Sequence, residues 1–382
     1  MFTQFISIEF MKKKILFYSV GRSDYDRYLP ILNEISKSKK NQLAVALNTV
    51  HLNKKFGKTY DFMDKKFKFF KPPNSKNNFK KKKDIIYNFS ENLNFLTKVF
   101  EKYKPDILVV LGDRYEMMCA PLCAIQYNIP IVHFYGGSVT KGSIDDYIRN
   151  SISKMSKLHF VVNRSYKQRL IELGEKEKKI KVTGLIGFEN FLKKNFISKN
   201  KLLKILNLNK KEYILLSFHP ETKSNINLSF QLKILSNIVK KLDYNFVISY
   251  PNADSGNDEI IKLYKILNKN FAKVYLIKNC GQKLFVNLIK HSKFIIGNSS
   301  AGIVETSFLK KTSINIGTRQ LGKIVPKNVI NVNWNEKKIL KKIDDIICNN
   351  NNMTLNYSDN PYRQKINVQK IVKLISNVNL YN

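Results

Sequence analysis

Short apolar runs separated by segments with helical spacing are the feature that most limits how this chain can fold. The first half contains such runs at residues 12–20, 42–48, 106–111, 129–134 and 159–163. The segments between them place apolar residues at every third or fourth position, which is typical of amphipathic helices. Continuous apolar strands that alternate with helices pair in parallel and are covered on both faces. The pattern therefore predicts a doubly wound α/β fold.

The alternation restarts in the second half of the chain, and 382 residues are enough for two domains. Between the halves lies a lysine- and asparagine-rich stretch that we interpret as a linker. We expect two Rossmann-like domains that face a central cleft, with ligands bound at the carboxyl ends of the strands. The expected boundaries are 12–187 for the first domain, 188–211 for the linker, 212–359 for the second domain and 360–382 for a C-terminal segment.

The net charge of +38, from 67 Lys and Arg against 29 Asp and Glu, raises the alternative of a non-enzymatic polyanion-binding protein. Lysine, asparagine and isoleucine recur in every part of the chain, however, which favours a compositional bias. No zinc-finger, basic-zipper or RNA-binding motif is present, so we expect no specific nucleic-acid partner. The densest basic stretch, residues 65–83, is predicted to be a solvated loop.

Cysteine usage and hydropathy indicate the cellular setting. The four cysteines have no Cys-x-x-Cys spacing, which argues against structural zinc and a disulfide framework and favours a reducing compartment. No apolar run approaches the roughly twenty residues that a membrane-spanning helix needs, and no signal peptide is recognisable. We therefore expect a cytoplasmic protein with no membrane insertion, metal or cofactor.

Several polar residues of the first half directly follow predicted strands. Arg22 follows Gly21 at a helix start, where it could bind a phosphate or remain solvated. Asp113 follows the strand DILVVL and could be a helix N-cap or a catalytic group. Asp145 and Arg149 lie four residues apart on a predicted helix and could form an ion pair, so structural and catalytic roles both remain open.

The second half contains the most specific motif, GNSSAGIVE at residues 297–305. Ser299 and Ser300 open a predicted helix, where hydroxyl and backbone N–H groups can bind a diphosphate. Glu305 could accept hydrogen bonds from ribose hydroxyls, and the alternative is a serine-capped helix with a surface glutamate. His219 ends another strand and carries an imidazole that titrates near neutrality, although a lone histidine is more often structural.

Taken in order, the motifs of the chain resemble those of the hydrolysing UDP-N-acetylglucosamine 2-epimerases. The resemblance covers residues 12 to about 335 and rests on GRSDY, HLNKKFG, LGDRYE, HFYGGS followed by GSIDDYIR, FHPET, YPNAD, GNSSAGIVE and NIGTRQLG. It implies a GT-B fold, in which a helix within residues 360–380 returns to the N-terminal domain. It also implies a sugar-nucleotide substrate, UDP-linked by expectation, and a homo-oligomer.

The resemblance further implies a chemistry and a set of site residues. UDP would leave by anti elimination to give a glycal, and water would then add with inversion at C2 to release an N-acetylmannosamine-type sugar. Catalytic roles are implied for Asp113, Asp145 and His219, with Arg149 holding Asp145 ionised. Binding roles are implied for Arg22, Asn252, Ser299, Ser300, Glu305 and Arg319.

The segment HFYGGS departs from the family pattern. Ser138 stands where the family usually has Glu, and Tyr135 stands where some members have another Glu. Either Asp113 and Asp145 suffice, or the enzyme acts on a different sugar, or activity has been lost. A GT-B glycosyltransferase and a non-hydrolysing epimerase remain alternatives from the sequence.

Overall fold

The architecture is described from a computed structural model of the chain. It contains two parallel sheets, one in each half of the chain, as the alternating pattern predicts. The residues that the structure describes are 12–53, 58–73, 82–141, 143–186, 188–208, 212–221, 223–252, 254, 256–278, 280–348, 360–364 and 367–380.

The first sheet has seven strands in the order β3-β2-β1-β4-β5-β6-β7. Its central strands are buried on both faces, because their apolar residues point alternately toward the two layers of helices. Every described pairing in this sheet is parallel. The strands are β1 Lys13–Ser19, β2 Asn41–Leu47, β3 Lys68–Phe70, β4 Ile107–Leu111, β5 Ile131–Phe134, β6 Leu158–Val161 and β7 Ile180–Val182.

The second sheet has six parallel strands in the order β10-β9-β8-β11-β12-β13. Its core forms around the apolar residues of β8 and β11, which are fully buried at the centre of the sheet. The strands are β8 Tyr213–Ser217, β9 Asn245–Ser249, β10 Val274–Ile277, β11 Ile295–Gly297, β12 Ser313–Ile316 and β13 Val329–Val332.

Amphipathic helices cover both sheets. No helix in the described ranges is both long enough and apolar enough to cross a membrane. The helices are α1 Arg22–Ile35, α2 Lys82–Tyr103, α3 Cys119–Gln126, α4 Asp145–Lys154, α5 Arg164–Glu172, α6 Phe188–Asn195, α7 Lys199–Leu206, α8 Leu228–Lys241, α9 Asn257–Asn270, α10 Gly281–His291, α11 Val304–Leu309, α12 Glu336–Cys348 and α13 Val368–Ser376.

Helix α13 packs on the first domain although it lies at the end of the chain. Its residues Ile371 and Ile375 are buried in the same core as Ile31 of helix α1. The Lys13 ammonium donates to the carbonyl of Ser376 at 2.8 Å, which ties β1 to the end of α13. The end of the chain thus returns to the first domain.

Three segments differ from the sequence-based expectation. Within the basic stretch predicted to be a solvated loop, Lys68–Phe70 forms edge strand β3, because it pairs with β2 and Phe69 packs on the first core. The segment between the apolar runs 106–111 and 129–134, whose spacing is typical of a helix, begins as a 3-10 turn at Tyr115–Met118 before helix α3. The stretch interpreted as a linker carries helices α6 and α7, since Phe188, Leu192 and Leu202 give them buried apolar faces.

Candidate functional site

The carboxyl ends of the two sheets face a common cleft. A cavity of about 410 Å³ is lined by residues that follow strands of both sheets, and a second cavity of about 220 Å³ adjoins it. Eight of the ten predicted site residues line the larger cavity: Asp113, Asp145, His219, Asn252, Ser299, Ser300, Glu305 and Arg319. The ninth, Arg149, does not line this cavity but forms an ion pair with Asp113. The side chain of the tenth, Arg22, lies outside the described part of the chain.

Asp113 is held by Arg149 at the end of β4. The Arg149 side chain is only 1% exposed, and its Nη2 group donates to Asp113 Oδ2 while its Nη1 group donates to Asp146 Oδ1 at 2.9 Å. Burial opposes ionisation of Asp113, but the Arg149 charge outweighs it and lowers the carboxyl pKa. The N-cap alternative does not apply, because Arg114 occupies the N-cap position of the next turn, Tyr115–Met118, and no side chain caps that turn.

The expected ion pair between Asp145 and Arg149 is wrong. In the described residues Arg149 forms its ion pairs with Asp113 and Asp146, because residues three apart also share a helix face. Asp145 instead lines the cavity at the first turn of α4. Burial, together with the nearby Asp113 charge, raises the pKa of Asp145 to about 6 although Arg319 opposes the shift. This carboxyl therefore titrates close to neutrality, as a proton-transfer group must.

His219 is fixed as a neutral imidazole. The backbone N–H of Asn252 donates to its Nδ1 at 3.0 Å, which leaves the ring proton on Nε2. Burial, with Arg319 and Arg114 nearby, lowers its pKa well below the usual value. Near neutral pH His219 can therefore donate a hydrogen bond from Nε2 but is a poor acid.

The GNSSAGIVE segment forms a short 3-10 turn followed by helix α11. Ser299 caps the turn through Ala301 N–H at 3.4 Å, while Ser300 is exposed at the cavity wall. A Cβ atom on Gly297, whose φ is +138°, would lie 2.0 Å from the Ser217 carbonyl oxygen. Only glycine therefore lets the serines follow strand β11 so closely beside β8.

Glu305 is a buried cleft residue rather than a surface glutamate. Arg27, from helix α1 of the other domain, donates to Glu305 Oε1 at 2.6 Å. The second carboxylate oxygen, Oε2, is buried and has no hydrogen-bond partner in the described structure. Glu305 thus joins the two domains with one oxygen and keeps the other available to a ligand.

Arg319 is positioned by the FHPET segment. The carboxylate of Glu221 accepts hydrogen bonds from the backbone N–H groups of Thr318 and Arg319 at 3.1 and 3.3 Å. The guanidinium of Arg319 then lies 3.7 Å from Asp254, which is also 3.8 Å from Arg114. This network places two arginines at the cavity wall.

The turn that contains Arg22 is organised by Asp24. Its carboxylate accepts hydrogen bonds from the N–H groups of Val20 and Gly21, each at 3.1 Å, and so fixes the transition from β1 to α1. Helix α1 then presents Arg27 to the cleft one turn beyond Arg22. Arg27 was not predicted from the sequence, although its position four residues after Ser23, on the same face of helix α1, was a usable signal.

The paired glycines of HFYGGS are required by packing within the first domain. A Cβ atom on Gly137, whose φ is +75°, would lie 2.2 Å from the carbonyl oxygen of Tyr166. Ser138 is buried in the smaller cavity, and its carbonyl accepts a hydrogen bond from Arg149 at 2.6 Å. Tyr135 also lines that cavity, and its hydroxyl accepts from the N–H of Ile186 at 3.2 Å.

Arginines balance the carboxylates of the cleft. Across the described ranges no cluster of three His, Cys, Asp or Glu side chains has the arrangement of a metal site. Asp113 pairs with Arg149 and Glu305 pairs with Arg27. The charges of the site are thus organised around guanidinium groups.

Several buried polar atoms at the cleft have no hydrogen-bond partner within the described part of the chain. They are Arg27 Nη1, Asn252 Oδ1, Glu305 Oε2 and Arg319 Nε. Buried polar atoms without partners are rare in folded proteins because each costs about 1–3 kcal/mol. Donors and acceptors of this kind, collected on both walls of one cavity, fit a polar, anionic ligand.

The two parallel sheets and the arginine-rich cleft define a two-domain α/β protein of the GT-B class. The sequence model of the family described as UDP-N-acetylglucosamine 2-epimerase matches residues 33–376. The chain belongs to that family. This membership favours the enzyme interpretation over polyanion binding.

The curated relatives include proteins more than 30% identical to this chain. One is "GDP/UDP-N,N'-diacetylbacillosamine 2-epimerase (hydrolyzing)" of Campylobacter jejuni, 36% identical over 85% of each chain. Another is "Polysialic acid biosynthesis protein P7" of Escherichia coli, 33% identical over 94% of each chain.

Solved structures support the fold. The UDP-GlcNAc 2-epimerase of Methanocaldococcus jannaschii, in complex with UDP-GlcNAc and UDP, superposes with a TM-score of 0.76 at 20% identity and covers 95% of this chain and 99% of its own. The enzyme from Neisseria meningitidis bound to UDP-GlcNAc has a TM-score of 0.74 at 20% identity, with 95% and 98% coverage. These similarities confirm the predicted GT-B-like architecture.

Proposed function

We propose that the chain is a hydrolysing 2-epimerase that converts a UDP- or GDP-linked acetamido sugar to the free 2-epimer and the nucleoside diphosphate. The observation that carries the proposal is the set of unpartnered buried polar atoms on both walls of the cleft, with Arg27 from the first domain and Asn252, Glu305 and Arg319 from the second. A sugar nucleotide supplies the diphosphate and hydroxyl groups that such atoms require.

Hydrolysis is supported by the names of the more similar relatives. The Campylobacter jejuni relative at 36% identity and a Legionella pneumophila relative at 27% are both described as hydrolysing diacetylbacillosamine 2-epimerases. A Neisseria meningitidis relative described simply as UDP-N-acetylglucosamine 2-epimerase is 25% identical. We therefore favour a hydrolysing enzyme over a non-hydrolysing epimerase or a glycosyltransferase.

The nucleotide is assigned to the second domain. Tyr250 follows β9 and Ile277 ends β10 and, with Phe285, they offer aromatic and apolar surface to a base. Ser299 and Ser300 follow the central strand β11, where they would donate to the diphosphate. The free oxygen of Glu305 would accept from a ribose hydroxyl.

The departing diphosphate needs positive charge, because the C2 proton of the sugar is weakly acidic and the leaving group must take up the electron pair. Arg27 and Arg319 lie at the cavity and would stabilise that charge, with Arg22 as a further proposed ligand. The excess of lysines elsewhere in the chain would contribute only by attracting an anionic substrate.

Proton abstraction is assigned to Asp145. Asp113 is committed to Arg149, so it serves to orient substrate, whereas Asp145 lines the cavity without that ion pair. With a pKa of about 6, Asp145 is mostly ionised at neutral pH and can accept a proton. His219 would donate a hydrogen bond to the substrate from Nε2.

Product analysis tests the proposed function. Incubation with UDP- and GDP-linked acetamido sugars is expected to release the nucleoside diphosphate and a free 2-epimerised sugar, detected by chromatography and NMR. A glycosyltransferase would leave the sugar on an acceptor, and a non-hydrolysing epimerase would leave it on the nucleotide. The absence of turnover with every such substrate would contradict the proposal. The homo-oligomeric state and the cytoplasmic location stay predictions.

The double variant Ser299→Ala, Ser300→Ala is expected to bind UDP at least about tenfold more weakly. A hydrogen bond to a charged group contributes about 1.5–3 kcal/mol, and about 1.4 kcal/mol corresponds to tenfold in affinity. Calorimetry with UDP checks the loss. The matched control is Ser307→Ala, because the Ser307 hydroxyl bonds Val304 and Asn360 instead of lining the cavity. If the double variant and this control bound UDP with equal affinity, neither Ser299 nor Ser300 would be part of the nucleotide site.

A further inference from the structure

The loop after β12 carries Lys323 across the cleft to the first domain. The Lys141 N–H donates to the Leu321 carbonyl at 2.8 Å, which joins the two domains through their backbones. Gly322 has a φ of +91°, and a Cβ atom there would lie 2.4 Å from Val139 Cγ1. The loop is therefore held tightly against the segment that follows Ser138.

Lys323 lines both cavities of the cleft and is half-buried. Its ammonium forms no ion pair or hydrogen bond with the part of the chain that the structure describes. The charged groups that act on it are Asp113 and Asp145, which attract it, and Arg149 and Arg319, which repel it. The Lys323 ammonium thus has no partner among the described residues and lies at the cavity near the carboxylates of Asp113 and Asp145.

The surroundings of Lys323 make its proton exchangeable near neutral pH. Burial, assisted by the charges of Arg149 and Arg319, lowers its pKa to about 8, although Asp113 opposes the shift. A lysine in this range is mostly protonated at pH 7 and still gives up a proton readily. Arginine at the same place would keep the charge but could not transfer a proton.

Inversion at C2 needs two proton-transfer groups, since the proton leaves from one face of the sugar and returns to the other. Both residues line the larger cavity, but Asp145 lies on helix α4, whereas Lys323 lies on the loop after β12 and also lines the smaller cavity, so the two side chains border the larger cavity at different places. We propose that Lys323 is the proton donor to C2 in the hydration step. This inference rests on the proposed function and assigns the partner of Asp145.

In the elimination step, the Asp145 carboxylate takes the C2 proton. The C2–H electron pair forms the C1–C2 double bond, and the C1–O pair leaves with the diphosphate. In the hydration step, the double bond takes a proton from the Lys323 ammonium at C2, and a water oxygen bonds to C1. The water proton restores the ammonium, and Asp145 releases its proton to solvent. One water is consumed, and one proton is released with the diphosphate.

Lys323→Arg tests the role because it keeps the charge and removes the transferable proton. We expect the rate of free-epimer formation to fall about a hundredfold or more, with KM within about threefold. The variant should still eliminate the diphosphate and release the glycal, which NMR distinguishes from the epimer. The descending limb of the wild-type pH profile, with a midpoint near pH 8, should disappear.

Lys141→Arg is the matched control, because its side chain is exposed and its backbone N–H makes the hydrogen bond to the loop. Lys323→Ala with added ethylamine gives a second readout, in which epimer formation should recover with amine concentration. The inference is wrong if the wild type is active and Lys323→Arg forms the epimer at the wild-type rate, with the descending limb of the pH profile intact. In that case Lys323 only supplies charge. Inactivity of the wild type itself would instead overturn the proposed function.

Discussion

Asp145→Asn is expected to lower kcat by about a hundred- to ten-thousandfold, the range that a placed proton-transfer group contributes. KM should change little, because the amide keeps the size of the carboxyl. In the wild type, kcat should fall as the pH drops below about 6, since burial and Asp113 raise the pKa of Asp145 and only its ionised form accepts a proton. The variant should lose this acid limb. Steady-state kinetics from about pH 5 to 9 check both effects.

Asp146→Asn is the neighbouring control. The Asp146 carboxylate binds Arg149 at 2.9 Å and Arg169 at 3.4 Å, which is a structural role on the same helix. This variant should lose stability but keep the acid limb. If Asp145→Asn kept the wild-type kcat and pH profile while Asp146→Asn lost them, the base would be assigned to the wrong carboxylate.

Arg149→Met is expected to lower the free energy of unfolding by about 3 kcal/mol or more, since it leaves Asp113 and Asp146 without their buried cation. Arg149 lowers the folded-state pKa of Asp113 below its unfolded value of about 3.9. The stabilisation is therefore present above about pH 4 and is lost as the pH falls through the folded pKa. Denaturant unfolding at several pH values checks the magnitude and this sign.

Arg169→Met is the comparison for this prediction. Arg169 contacts the same Asp146 at 3.4 Å, but its side chain is 31% exposed. An ion pair of this kind contributes about 0–1 kcal/mol. Equal losses in the two variants would mean that burial of Arg149 adds nothing to its ion pairs.

The alternating pattern predicted both sheets and their helices because buried parallel strands need continuous apolar sequence and helices need their own spacing. Strand β3 was missed since Lys68–Phe70 is short and lies at a sheet edge, where long-range pairing with β2 rather than local sequence decides its conformation. Helices α6 and α7 were missed for a related reason, because their apolar faces are recognisable only from the domains that bury them.

The candidate site could likewise be predicted only in part from the sequence. Residues directly after strands could be predicted, because parallel strands bring their carboxyl ends to one edge, and Asp113, His219 and Ser299 accordingly line one cavity. The pairing of Arg149 with Asp113 instead of Asp145 could not be predicted. Spacing along a helix identifies neighbours on that helix but not partners at the end of a strand.

The sequence by itself determined the two-domain α/β architecture and the family, because ordered motifs and hydropathy are local properties of the chain. Only the tertiary structure decided which charges meet across the cleft. Arg27 binds Glu305, which lies 278 positions further along the chain. The charges of Asp113 and Asp145 act on Lys323, which lies more than 170 positions from either carboxylate. These interactions depend on how the two sheets pack against each other, and burial at their interface then shifts the pKa values on which the proposed chemistry depends.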